Sequence, residues 1–181
     1  FSNIILAEEQ WHVIDYEWTY AFAIPMKFIV YRALALYCGR KRKHQIGLSE
    51  VCRKHGVPLL VDNAHGAYLA FTEPSMHPIA LGADMCCDSA HKTLPVLTGG
   101  AYLHIAHRAP CLFSEHAEEA LSVFASTSPS YLILQSLDAN NAYLATSYPP
   151  QLTVFLQEVA LLKQRLETAG FSLMGQEPLK L

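Results

Sequence analysis

The chain has 181 residues, of which 51 % are hydrophobic and 16 % charged. That is enough apolar material for one domain with its own core, and too much for a disordered chain. The net charge of −3, with histidine neutral, argues against a generic nucleic-acid surface.

Five cysteines, Cys38, Cys52, Cys86, Cys87 and Cys111, show no CxxC spacing, and their odd number without a secretory signal favours a reduced, cytoplasmic protein. The nine histidines show no HExxH-like ligand spacing, so no metal site is expected.

Residues 1–45 form a divergent segment of unclear role. The aromatic-rich stretch Trp11 to Phe22 lacks a clean period; a strand, then a helix over about Met26 to Cys38, fits it best. The apolar run Ala21 to Cys38 invites a membrane reading, but Pro25, Lys27 and Arg32 interrupt it, and charge in a spanning helix is costly. No membrane role is expected. The basic run Arg40 to His44 reads as a solvated loop. Because the chain begins at Phe1 and ends at Leu181 in mid-pattern, it is expected to be a partial or truncated chain.

From Ile46 the pattern is regular. Leu48, Val51, Cys52 and His55 recur at helical spacing, Gly56 suits a left-handed cap, and Pro58 stops the helix. Val57 to Val61 is a short apolar run, read as a buried strand that ends at Asp62. A short helix is predicted over Pro78 to Leu81, a second strand over Asp84 to Asp88, a turn at Thr98 to Gly100 and a third strand over Ala101 to Ala106. Helices follow: Ser130 to Ala145, with Leu134, Leu137 and Asn141 on one side, and Pro149 to Ala169, with Leu152, Phe155, Val159, Leu162 and Leu166 on one side. Phe171 to Met174 is expected to start another strand. The alternation predicts an α/β fold with a mostly parallel sheet flanked by helices.

Two motifs 30 residues apart carry the chemistry: Val61-Asp62-Asn63-Ala64-His65-Gly66 and Asp88-Ser89-Ala90-His91-Lys92-Thr93. Ligands of such sheets bind at the carboxyl ends of strands, and both motifs fall there. A carboxylate and an amine at neighbouring strand ends suit pyridoxal 5'-phosphate. The amine of Lys92 would hold the aldehyde as a Schiff base, and Asp62 would keep the pyridine nitrogen protonated. Each residue has a plainer reading, Lys92 as a surface lysine and Asp62 as a helix N-cap. Ala64, facing the same way as Asp62 if the chain stays extended, would let a flat ring pack closely. His65 is a candidate contact to cofactor or substrate, or a structural histidine. Ser89 and His91 suit a phosphate. Ser126-Thr127-Ser128-Pro129 is either a second phosphate-binding cluster or a turn before the next helix.

Taken together, the residues from about Gly47 to Tyr143 resemble the major domain of the Orn/Lys/Arg decarboxylase family. The resemblance rests on His55-Gly56-Val57-Pro58-Leu59-Leu60-Val61-Asp62, Ala64-His65-Gly66-Ala67, Gly82-Ala83-Asp84, Ser89-Ala90-His91-Lys92-Thr93-Leu94-Pro95, Leu97-Thr98, Leu103-His104 and Ser126-Thr127-Ser128-Pro129-Ser130-Tyr131. It implies part of an aspartate-aminotransferase-like (fold-type-I) pyridoxal-phosphate domain over 46–181. It also implies decarboxylation of a basic amino acid, of ornithine, lysine or arginine type, to a polyamine precursor.

By position it implies Lys92 and Asp62 as catalytic residues, and His65 is taken as a further catalytic candidate. Lys92, Asp62, Ala64, His65, Ser89, His91, Ser126 and Thr127 would bind the cofactor. A homodimer or higher homo-oligomer is implied, with Ser126 to Ser128 approaching the partner's cofactor. The family's upstream phosphate loop and ring-stacking residue have no counterpart in residues 1–45. Two alternatives therefore stay open: a catalytically silent fragment or interaction subunit of the same fold, and another fold-type-I enzyme such as an aminotransferase or desulfurase-like lyase.

Overall fold

The computed structural model describes residues 4–7, 10–13, 29–30, 42–124, 126, 128–173 and 177–179. Strands β1 (Ile4–Ala7) and β2 (Gln10–Val13) pair antiparallel as a separate two-stranded sheet. The main sheet has the order β3 (Ile29–Val30), β4 (Leu59–Asp62), β5 (Met85–Asp88), β6 (Tyr102–Ile105). The pairs β3–β4 and β4–β5 are parallel, and β6 runs antiparallel to β5.

Helix α1 (Arg42–Lys54) precedes β4. A 3-10 helix (Ala67–Phe71) and a turn link β4 to β5. The one-turn helix α2 (Ala90–Thr93) follows β5 directly. Helices α3 (Cys111–Phe124), α4 (Tyr131–Thr146) and α5 (Tyr148–Thr168) follow among the described residues.

Several expectations hold for a local chemical reason. Gly56 ends α1 at φ +65°, with Gly56 N–H donating to Arg53 O at 3.1 Å and Val57 N–H to Cys52 O at 2.9 Å, the paired closure of a glycine-capped helix. Gly170 repeats it after α5 at φ +92°, with Gly170 N–H on Glu167 O and Phe171 N–H on Leu166 O, both at 3.0 Å. Asp84 stitches the starts of two strands: its N–H donates to Leu59 O, and its Oδ2 accepts from Leu59 N–H, both at 2.8 Å. Leu59, Val61 and Cys86 then pack with Cys52 of α1 and Ala83 in one buried cluster. A second cluster joins Tyr68, Leu69, Ala90 and Leu94 to Leu152 of α5.

Other expectations are corrected. The helix expected over 26–38 gives way at Ile29–Val30 to a strand paired with Leu59 and Leu60; the rest of that span lies outside the described residues. β-Branched side chains beside an apolar strand favour pairing over helix. The basic run is not wholly a loop, because Arg42, Lys43 and His44 lie within α1. Pro78 to Leu81 is a turn closed by Leu81 N–H on His77 O and Pro78 O, not a helix. Residues 171–173 are not a strand.

The apolar stripes of the last helices are only partly covered. Leu134, Phe155 and Leu162 are exposed, and Leu152 alone is fully buried in α5. A 3.6-residue period marks an apolar stripe, but not which part of it this chain covers.

Candidate functional site

The site begins with strand register. Asp62 lies opposite Cys87 on the neighbouring parallel strand, and Asn63 N–H extends the ladder by donating to Cys87 O at 2.9 Å. Both strands therefore end at the same level. The first motif leaves β4 there, and Ser89 to Lys92 leave β5 there.

Beyond Asp62 the chain turns at once, with Gly66 N–H donating to Asn63 O at 2.8 Å. The extended path expected through Ala64 is thus corrected. Instead the Asp62 carboxylate bends back, its Oδ1 accepting from the Ala64 N–H at 3.1 Å. An aspartate at a turn commonly accepts from the amide two residues on. Asp62 caps no helix; the residue preceding the 3-10 helix is Gly66. Asp62 and Ala64 are half-buried, and His65 is exposed.

Lys92 is half-buried in α2, its N–H donating to Ser89 O at 3.1 Å. Ser89 precedes α2, and its hydroxyl makes no capping bond. His91 faces the next turn, with Nδ1 3.0 Å from Gly100 O, and the His91 N–H donates to the same oxygen at 3.3 Å. These bonds fix how α2 meets the 97–100 turn. That turn is also held by α4, through Leu97 N–H donating to Ser136 Oγ at 2.9 Å. The Ser126 cluster is exposed, and Ser126 Oγ accepts from Ser128 N–H at 3.1 Å, so it forms a turn locally; Thr127 lies outside the described residues.

A buried charged hub among the described residues was not among the expected site residues. Asp88 is 2 % exposed, and three side chains converge on it. Asn63 Nδ2 donates to Oδ1 at 2.7 Å, His77 Nε2 lies 2.9 Å from Oδ2, and His104 Nε2 lies 3.0 Å from the same oxygen. Burial by itself raises the Asp88 carboxyl; contacts from His104, His77 and Asn63 outweigh it and bring the group down to about 2. A neighbouring thiol moves the other way, since burial and then Asp88 push Cys86 well up.

The expectation of no metal rested on linear histidine spacing. The fold overrides that spacing by bringing together His77 from the β4–β5 connection, Asp88 from β5 and His104 from β6. One signal was available: an aspartate inside an apolar strand must be paired.

The described residues thus form part of an α/β domain whose two polar motifs lie at the carboxyl ends of adjacent parallel strands. The chain matches the family described as "Orn/Lys/Arg decarboxylase, major domain" over residues 33–175, and it belongs to that family. It is 38 % identical over 131 residues to YaaO, an uncharacterized protein of Bacillus subtilis, covering 69 % of this chain and 27 % of YaaO. It is 37 % identical over 99 residues to an arginine decarboxylase of Halalkalibacterium halodurans, and 36 % over 98 residues to one of Bacillus subtilis; each match covers 54 % of this chain and 20 % of the relative. The chain thus spans about a quarter or less of the length of these curated relatives. No helix among the described residues is long and apolar enough to cross a membrane.

Proposed function

We propose that residues 46–181 contribute part of the pyridoxal-phosphate-binding, fold-type-I major domain of a cytoplasmic decarboxylase acting on a basic amino acid, as a homodimer or higher homo-oligomer. Within residues 1–45, Ile29 and Val30 pair with β4 and so join the sheet of that unit. The activity is that of a carbon–carbon lyase serving polyamine formation. The observation that carries the reading is the register of Asp62 against Cys87, which sets the carboxylate and the lysine-bearing segment at one end of adjacent strands. The arginine decarboxylase relatives favour a guanidino substrate within the family's range.

The residues present suit the cofactor. Asp62 is half-buried and steadied by the Ala64 amide, a fit environment for a carboxylate that faces a cationic ring nitrogen. Ala64 adds no bulk where a flat ring would lie. The Ser89 hydroxyl, not engaged as a helix cap, suits a phosphate, and the Ser126-Thr127 pair is proposed for the same role on the sequence alone. His91 contributes by fixing α2 against Gly100.

When bound, pyridoxal phosphate supplies an aldehyde for the substrate amine and an electron-drawing ring for the bond that loses CO₂. Lys92 would hold the cofactor through its Nζ. Asp62 keeps the proton on the ring nitrogen. His65, exposed beside Asp62, offers an imidazole toward the substrate.

The test is reductive trapping. The protein is incubated with pyridoxal phosphate, reduced with borohydride and digested, and the modified lysine is located by mass spectrometry. The expected result is a pyridoxyl group on Lys92, absent from Lys92→Ala and reduced in Asp62→Asn, together with amine release from arginine, ornithine or lysine. Labelling scattered over surface lysines and unchanged in Lys92→Ala would overturn the reading.

A further inference from the structure

The cluster around Asp88 lies apart from the cofactor residues. Asp62 is the neighbour of Cys87, and its charge acts on that thiol. Successive strand residues point to opposite faces, so Asp88 points away from the Asp62 side. There it meets His77, 5 % exposed, and His104, whose side chain is 39 % exposed.

We propose that His77, Asp88 and His104 form a binding site for a divalent first-row transition-metal ion, of which zinc is the type case. The ligand atoms of the three residues all lie within 4.8 Å of one another. Metal bonds to imidazole nitrogen and carboxylate oxygen of about 2.0–2.2 Å would set ligand atoms about 3.3 Å apart. Separations of 2.9 and 3.0 Å from Asp88 Oδ2 therefore need to open by only a few tenths of an ångström. Two imidazoles and one carboxylate are a donor set that suits such ions.

Three further observations point to a ligand. His104 Nε2 is buried, and its 3.0 Å approach to Asp88 Oδ2 is an ion-pair contact without good hydrogen-bond alignment. A buried nitrogen set beside a carboxylate oxygen in this way is well placed to share a cation with it. Asn63 Nδ2 holds the other carboxylate oxygen, which orients the ligand as outer partners do in metal sites. Finally, Asp88 and His104 line a cavity of about 280 Å³ that also presents Tyr102 and Asn141. It has room for a water as a fourth ligand.

Without the ion, a proton takes its place. Ile79 N–H donates to His77 Nδ1 at 3.4 Å, which leaves the ring proton on Nε2, toward Asp88. Metal uptake at Nε2 moves that proton to Nδ1, which can then no longer accept the long bond from Ile79 N–H.

The test is a Co²⁺ titration of the full-length protein after chelator treatment and without added pyridoxal phosphate, followed by the visible d–d bands. The expected result is a single saturable site from which Zn²⁺ displaces Co²⁺. His104→Gln, whose half-exposed position tolerates the change, and Asp88→Asn should each weaken binding by about tenfold or more. His116→Gln, on the exposed surface, should bind as the wild type does. If Asp88→Asn does not fold, His104→Gln decides alone. Absence of a saturable band, or wild-type binding by His104→Gln, would overturn the proposal.

Discussion

Asn63 Nδ2 donates to Asp88 Oδ1 at 2.7 Å, joining the carboxyl ends of β4 and β5 inside the core. Its neighbour Asp62 points to the other side, where its Oδ1 meets the Ala64 amide. The dipeptide Asp62-Asn63 thus serves two faces of one sheet: a candidate cofactor face and a buried polar hub. Alternation along the strand makes this division, and a shift of one residue in register would exchange the two roles.

The hub should be a major contributor to stability. Asp88→Ala strands the Asn63 amide and His77 Nε2 without their acceptor in a buried site. Breaking a buried charged network by removing one member costs about 3–5 kcal/mol. Urea unfolding should show a loss of that order, and a loss below about 1 kcal/mol would mean that Asp88 is not the acceptor these side chains depend on.

The same carboxylate predicts an acid-dependent loss. Its ordinary value is 3.8, and in the fold it is brought down to about 2. Above pH 4 it is ionised in both states and contributes in full. As pH falls from about 4 to about 2, the unfolded chain takes up a proton that the folded chain does not, and the contribution is lost. At about 1.4 kcal/mol per unit, the loss is about 2 kcal/mol. The stability gap between wild type and Asp88→Asn should therefore narrow by about that much between pH 5 and pH 2. A gap that stays constant over this range would show that Asp88 titrates alike in both states.

What the sequence revealed, and what it hid, follow from locality. Gly56 and Gly170 announce their helix ends because a cap is a local event, and Asp62 and Lys92 stand out because each follows an apolar run. His77 and His104 are 27 positions apart and carry no spacing signal; only the β5–β6 pairing, with Cys86 opposite His104, brings them together. The antiparallel direction of β6 was hidden for the same reason, since the Leu94 to Ala101 connection is a property of the turn rather than of strand composition. Phe155 and Leu162 share an apolar stripe with Leu152, and such a stripe looks alike whether it is covered or not.

The Nδ1 of His91, a residue expected on the phosphate side, lies 3.0 Å from the Gly100 carbonyl. His91→Ala removes that bond and should cost about 1 kcal/mol, the usual net worth of such a contact. Because the bond ties α2 to the 97–100 turn, faster amide exchange should appear at Gly100, whose N–H donates to Leu97 O at 3.0 Å. Unchanged exchange there would show that α4, through Ser136, holds the turn without His91.

Gly66 offers a steric test of the hub. A Cβ built there would lie 2.1 Å from Asn63 Oδ1 and 2.8 Å from Asn63 Nδ2, closer than real contacts allow. Backbone strain is not the cause, because φ at Gly66 is −120°, which any residue can adopt. Gly66→Ala must instead push the Asn63 side chain aside and strip its bond from Asp88. That predicts a loss of about 2 kcal/mol, the penalty for a charged buried acceptor that loses a donor. A double-mutant cycle separates this from a general packing defect. In an Asn63→Ala background the obstructing amide is gone, so Gly66→Ala should cost well under 1 kcal/mol. Equal losses in both backgrounds would show that Gly66 is required for some reason other than the Asn63–Asp88 bond.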